Sequence, residues 1–155
     1  SVSYFDGAQG HIVISGLRFA NGLALSDDQE SLYVAETTAG RVSRYKQVRD
    51  KLVWKLDESL NVDMGVDNFE WDGSDYLLNA GHPKLFDFQA HMKDAQALSA
   101  SQVIRINVKS DPMTYETLYL NDGEALSGAS GVAKLDETVL IGSVFEAHFL
   151  RCKTD

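Results

Sequence analysis

The sequence predicts an all-β domain of β-propeller blades, each a sheet of four antiparallel strands, with about three blades in an arc that does not close. Three observations carry this. Short segments alternate apolar and polar residues throughout, and no helical period persists over three turns. Only two prolines occur, and polar turns separate the segments at regular intervals. One pattern is also written three times, as "NGLALSDDQESLYVAETTAGRVSRYK", as "DNFEWDGSDYLLNAG" continued by "SQVIRIN", and as "SGVAKLDETVLIGSVFEAHFLRCK". Each copy has an inner apolar strand, a polar turn with Asp, a second apolar strand ending in a small residue, and a third strand. Repetition of four-stranded units at this scale is the mark of propeller blades.

Taken in order, "VSYFD" (2–6) and "HIVIS" (11–15) flank a Gly-containing turn. "GLALS" (22–26), "SLYVAE" (31–36), "RVSRYK" (41–46) and "LVWKLDE" (52–58) make a whole blade through the turns "DDQE", "TTAG" and "QVRDK". The next blade takes "VDNFEWD" (66–72), "YLLNA" (76–80), "SQVIRINV" (101–108) and "YETLYL" (115–120), and carries an insert at 82–100. "GVAKL" (131–135), "TVLIGS" (138–143) and "AHFLRCK" (147–153) supply three strands of a last blade. The predicted division is a partial blade at 1–15, blades at 16–60 and 61–122, and a partial blade at 123–155. Two whole blades between two partial ones leave sheet faces and edges that need cover.

A chain of 155 residues with 44% apolar content suits one domain with its own core. Its net charge of −9 argues against nucleic acid and anionic membranes, which require clustered Lys and Arg. No run approaches the length of a membrane-spanning helix. The chain opens on Ser1 without a signal peptide, which predicts a trimmed polypeptide. Cys152 is the single cysteine, so it forms no internal disulfide. It is either a small residue closing a strand or half of an intermolecular bridge.

In a propeller the residues just before the innermost strands converge on one central tunnel. That places Asn21, Asp67 and Asn68 together at its mouth. One carboxylate and two amide carbonyls are hard oxygen donors, which suit Ca²⁺ better than Zn²⁺. The competing reading is that all three cap turns. Of the four histidines, His82 ends an inner strand and is the functional candidate. His11 is expected to be exposed and His91 solvated, while His148 belongs to the last strand. Tyr33, Tyr45, Trp54, Trp71, Tyr76 and Phe149 fall at strand spacing and are expected to pack between blades. Phe86 and Phe88 leave the sheet in the insert, where they are placed to wall the tunnel.

"FANGLALS", "VDN", "AGHP", "LIGSVF" and the near-terminal Cys152 stand in the order in which similar motifs occur in the paraoxonase/arylesterase family, and the chain resembles the C-terminal half of that family. The resemblance implies half of a six-bladed propeller hydrolysing esters or lactones with calcium in the tunnel. It puts catalytic calcium ligands at Asn21, Asp67 and Asn68, and an active-site histidine at His82. It puts substrate-pocket residues at Thr37, Phe86, Ser130, Val144 and Phe145. It implies that Cys152 bridges to an N-terminal strand outside this chain, and it favours a secreted or periplasmic location. The remaining calcium ligands and the histidine pair usually assigned to water activation fall in the N-terminal half. The ring is then closed by that half or by a second copy of the chain. Two other readings stand beside this one: a non-catalytic half-propeller used for binding or assembly, and a gluconolactonase-like sugar lactonase.

Overall fold

A computed structural model describes residues 1–48 and 52–153, so part of the predicted turn at 47–51 lies outside the described residues. Thirteen strands are arranged in four antiparallel sheets among them. The first sheet pairs β1 (Val2–Phe5) with β2 (Gly10–Ile14). The second runs β3 (Ala20–Leu25), β4 (Ser31–Glu36), β5 (Arg41–Gln47), β6 (Trp54–Asn61). The third runs β7 (Gly65–Asp72), β8 (Tyr76–His82), β9 (Ser101–Asn107), β10 (Thr114–Asn121). The last holds β11 (Ala129–Leu135), β12 (Thr138–Ser143) and β13 (Leu150–Lys153). Neighbours in each sheet are neighbours in sequence, so the chain meanders outward through each blade, and the expected all-β half-propeller is what the chain forms.

The two-residue period of a strand builds the packing between blades. On β8, Leu77 joins a core with Ala35, Val42 and Val66, facing the β3–β6 sheet. Its neighbour Leu78 joins a different core with Val132, Val139 and Ile141 of the last sheet. Ile104 and Val103 on β9 divide the same way. On β4, Val34 packs with Val2 and Ile14 while Tyr33 and Ala35 point to the next blade. The second strands β4 and β8 are thus buried on both faces, which is why they read as continuous apolar runs. Each fully buried Leu or Ile here contributes about 1.5–3 kcal/mol by leaving water. The outermost strands β6 and β10 are mostly exposed and polar.

Polar ties add register to these cores. Asp72 of β7 accepts from Arg105 at 2.7 Å and from Lys134 of the last blade at 2.9 Å. Burial alone raises the Asp72 carboxyl, but the two cations outweigh it and hold it below the usual carboxylate value. Arg44 donates to the Val108 carbonyl at 3.1 Å, and Glu58 accepts the Met113 amide at 2.7 Å.

Each end of the arc is unfinished. The β1–β2 hairpin leaves Phe5 and Ile12 exposed, and the last sheet leaves Leu135 and Leu140 exposed. β2 feeds the inner strand β3 as β6 feeds β7, so β1–β2 occupies the outer half of a blade. β13 corresponds to β5 and β9, so among the described residues the last blade has its three inner strands.

Three details differ from the sequence reading. The insert contains a short helix, α1 (Leu85–His91), too brief to show a period. The final strand begins at Leu150 rather than at 147, and Phe149 is exposed instead of packed between blades. His91 is buried rather than solvated, with 1% of its surface exposed. No helix among the described residues is long and apolar enough to cross a membrane.

Candidate functional site

The same backbone device recurs at the start of all three inner strands. The ladder shifts register between Ala20 and Leu23 on β3, between Val66 and Phe69 on β7, and between Ala129 and Gly131 on β11. A bulge adds a residue and re-aims side chains that would otherwise alternate across the sheet. The residues inside these bulges are Asn21 with Gly22, Asp67 with Asn68, and Ser130.

Gly22 brings two of the bulges into contact. A Cβ built there would lie 2.3 Å from the Asp67 carbonyl oxygen and 3.0 Å from the Asn68 Cα. Only glycine permits this approach of β3 to β7. Asn79 of β8 clamps the β7 bulge from behind. Its Oδ1 accepts the Asp67 amide at 3.3 Å, and its Nδ2 donates to the Asp67 and Asn68 carbonyls at 3.1 and 3.0 Å. Thr37 opens a turn of 3-10 helix (Thr37–Ala39) at the end of β4, and its hydroxyl donates to the Val66 carbonyl at 2.7 Å. Glu36, buried just before it, accepts from Arg41, Ser43 and the Arg18 amide. Burial raises its carboxyl, and those donors together bring it below its usual value.

The donor atoms are oriented. Asn21 turns its amide nitrogen to the Thr37 hydroxyl at 3.4 Å, and Asn68 donates to the Ser130 carbonyl at 3.0 Å. Both amide nitrogens are thus engaged, and among the described residues neither side-chain oxygen accepts a hydrogen bond. The Asp67 residue is 7% exposed, and its ion-pair neighbour among the described residues is His82, whose Nε2 lies 3.4 Å from Oδ2. The pair falls short of a proper hydrogen bond: both ring nitrogens of His82, a residue with 0% exposure, lack a hydrogen-bond partner. Phe88 of α1 lies flat on the imidazole, with ring centres 3.4 Å apart and planes 8° from parallel.

Asn21, Thr37, Asp67 and His82 line one cleft of about 340 Å³ from the sheet side, and Asn68 lies outside its lining. Phe19, Leu85, Phe86, Phe88 and Met92 form its apolar side. Phe86 is 87% exposed and stands at the rim. Ser130 meets the group through its carbonyl on Asn68, whereas Val144 and Phe145 lie half exposed on the last blade, outside the lining of this cleft. Cys152 is free and half-buried, paired across from Val139 and packed on the Leu78 core. His11 is exposed and bonded to Asp6 at 2.9 Å, and His148 donates to the Ala125 carbonyl at 3.3 Å on the surface.

Asn79 is the residue that sequence reading passed over. Its signal was present, since an asparagine within the apolar run "YLLNAG" has to satisfy both ends of its amide when buried. Asn79→Ala is expected to leave buried backbone groups of the β7 bulge unpaired, at about 1–3 kcal/mol. Thermal unfolding of the variant against wild type measures this directly.

Blades of four antiparallel strands arranged about inner strands that present amide and carboxylate oxygens define a β-propeller with a polar tunnel mouth. The arylesterase family profile matches residues 1–153, and the chain belongs to that family. It is 31% identical over 151 residues to serum paraoxonase/arylesterase 2 of Bos taurus, and 32% identical over 152 residues to serum paraoxonase/lactonase 3 of Oryctolagus cuniculus. Each match covers 94% of this chain and 41% of the relative. Mechanosensory abnormality protein 6 of Caenorhabditis elegans is 27% identical over 157 residues, covering 98% of this chain and 41% of that one. The chain thus spans 41% of the length of these curated relatives, and the part matched is C-terminal. A solved structure from Bacteroides uniformis ATCC 8492, named as a candidate 6-phosphogluconolactonase, superposes with a TM-score of 0.51 at 12% identity. It covers 86% of this chain and 39% of the other, and shows the shared fold.

Proposed function

We propose that this chain is part of a calcium-dependent hydrolase of esters or lactones, acting in the cleft that Asn21, Asp67 and His82 share. The observation that carries the reading is a buried carboxylate, Asp67, that no Lys or Arg neutralises among the described residues, flanked by two amides whose side-chain oxygens accept no hydrogen bond among them. An uncompensated buried carboxylate is costly unless a cation joins it. Among the described residues no three His, Cys, Asp or Glu side chains gather as a metal cluster, and the candidate donors are one carboxylate and two amide oxygens. That chemistry fits Ca²⁺, which takes about six to eight oxygen ligands. Asn21, Asp67 and Asn68 would hold it, with further ligands supplied from outside this chain.

A calcium bound there would supply Lewis acidity toward the ester carbonyl oxygen. His82, its ring nitrogens buried beneath Phe88, would orient the Asp67 carboxylate from 3.4 Å. Thr37 fixes the Asp67 backbone through Val66. Phe19, Phe86 and Met92 offer apolar surface to the substrate's hydrocarbon part, which suits an aryl or alkyl arm better than a polyhydroxylated sugar. Ser130, Val144 and Phe145 would reach the substrate from the last blade only as the ring closes.

Strand counting favours the upstream part of a longer polypeptide as what closes the ring. The hairpin β1–β2 calls for two inner strands, and the last sheet calls for one outer strand. A second copy laid across the gap would put three strands against two and overfill a four-stranded blade. The upstream part of a longer polypeptide meets both needs, in keeping with relatives of which this chain spans 41%. Hydrolysis of phenyl acetate and of a γ-lactone by the closed protein tests the proposal. Activity should vanish with excess chelator and return with calcium. Undiminished turnover in chelator would refute the calcium role.

A further inference from the structure

α1 covers the cleft, and the structure shows how its far end is fastened. His91, its last residue, is 1% exposed. Its Nδ1 lies 2.6 Å from the Ala97 carbonyl oxygen. A carbonyl only accepts, so Nδ1 carries the proton and Nε2 is left as a bare lone pair without a partner. The ring meets Phe145 of the last blade edge-on, with centres 5.2 Å apart. It also lies against Gly128, where an added Cβ would come within 3.1 Å of the imidazole and 3.4 Å of the Phe88 ring. Gly128 has a positive φ of 64°, which a side chain rarely adopts. The segment after Ala97 is clipped to the same blade, by the Ser99 amide on the Ser127 hydroxyl at 3.1 Å and the Gly128 amide on the Ser99 carbonyl at 3.1 Å.

A neutral histidine buried with one nitrogen unsatisfied is a costly way to fill a gap, and a leucine would fill it without that cost. The bond to Ala97 and the seat at Gly128 give it a use. We propose that His91 is a positioning residue: it locks α1 to the last blade so that Phe88 stays flat on His82 and the apolar wall stays over the cleft. The inference rests on the hydrolase reading for its kinetic consequence, though not for its structural one. His91 touches neither the cleft nor its donor groups, and acts through Phe88.

The test uses the ring-closed protein as wild type, His91→Ala and His91→Asn. Asparagine can place an amide N–H near the position of Nδ1 and keep the Ala97 bond. In His91→Ala, hydrogen exchange across 85–91 should accelerate about tenfold or more, since the helix loses its tertiary anchor. Diethyl pyrocarbonate should then modify His82, which is sealed in wild type. For an apolar aryl ester, KM should rise roughly tenfold while kcat falls less, the pattern of lost uniform binding. His91→Asn should recover most of the protection. If His91→Ala does not fold, His91→Phe keeps the ring and lacks the donor, and gives the same readouts. Unchanged exchange and an unmodified His82 would overturn the anchor. A loosened α1 with unchanged KM and kcat would overturn its positioning role. A wild type that hydrolyses nothing would contradict the hydrolase reading, while exchange and modification still decide the anchor.

Discussion

Asp67→Ala is expected to abolish calcium binding and ester hydrolysis together, lowering kcat/KM by at least about 10³-fold in the closed protein. Asp67 is the one charged donor among Asn21, Asp67 and Asn68, so it carries most of the electrostatic attraction for a divalent cation. It also faces His82 from 3.4 Å, so its loss removes the charged ligand and leaves the buried imidazole without its neighbour. The accompanying stability change separates this account from a merely structural role. Without calcium the wild type holds a buried carboxylate that no Lys or Arg pairs among the described residues, and removing it should leave the melting temperature unchanged or raise it. With calcium present, mass action stabilises only the wild type. The order of the two melting temperatures should therefore reverse between chelator and calcium. Asp67→Asn, which keeps the shape and drops the charge, should behave like the alanine variant in affinity.

Gly22→Ala has the largest expected effect outside the donor set. The methyl would sit 2.3 Å from the Asp67 carbonyl oxygen, a backbone atom that cannot swing aside as a side chain does. Either β3 withdraws from β7 or the bulge on β7 unwinds. Overpacking of this kind costs roughly 1–3 kcal/mol. For a chain of this size that is a melting temperature lower by roughly 2–12 °C. Because the displaced atoms belong to Asp67 and Asn68, calcium affinity should fall further than stability alone explains. Gly131→Ala is the control: it borders the corresponding bulge on β11, where an added Cβ meets nothing within 4 Å. It should unfold and bind like wild type. Scanning calorimetry with and without calcium reads both variants.

The sequence made the architecture legible because burial on alternate faces writes itself into alternate residues. Leu77 and Leu78 pack into different cores, so the strand between them had to be apolar on both sides. The insert was less legible. Seven helical residues complete too few turns to establish a period, and the polar neighbours of His91 disguised a buried side chain. The end of the chain misled as well, since "AHF" continues an alternation that the backbone abandons until Leu150.

At the site, Asn21, Asp67 and His82 stood out as polar residues at the ends of apolar strands. The bulges that aim them did not, because a bulge changes backbone register without requiring a particular side chain. Gly22 is the exception that sequence could have flagged. Glycine within a strand marks close approach of another backbone, and here that backbone belongs to Asp67.

The proposed calcium site at Asn21, Asp67 and Asn68 stands or falls on one titration. Calorimetric titration of calcium into the closed protein, wild type beside Asp67→Ala, tests it most directly. Wild type is expected to show a saturable calcium site that is missing from a variant with the same circular dichroism spectrum. Equal calcium binding by both proteins would place the metal elsewhere and leave Asp67 as a residue that shapes the bulge.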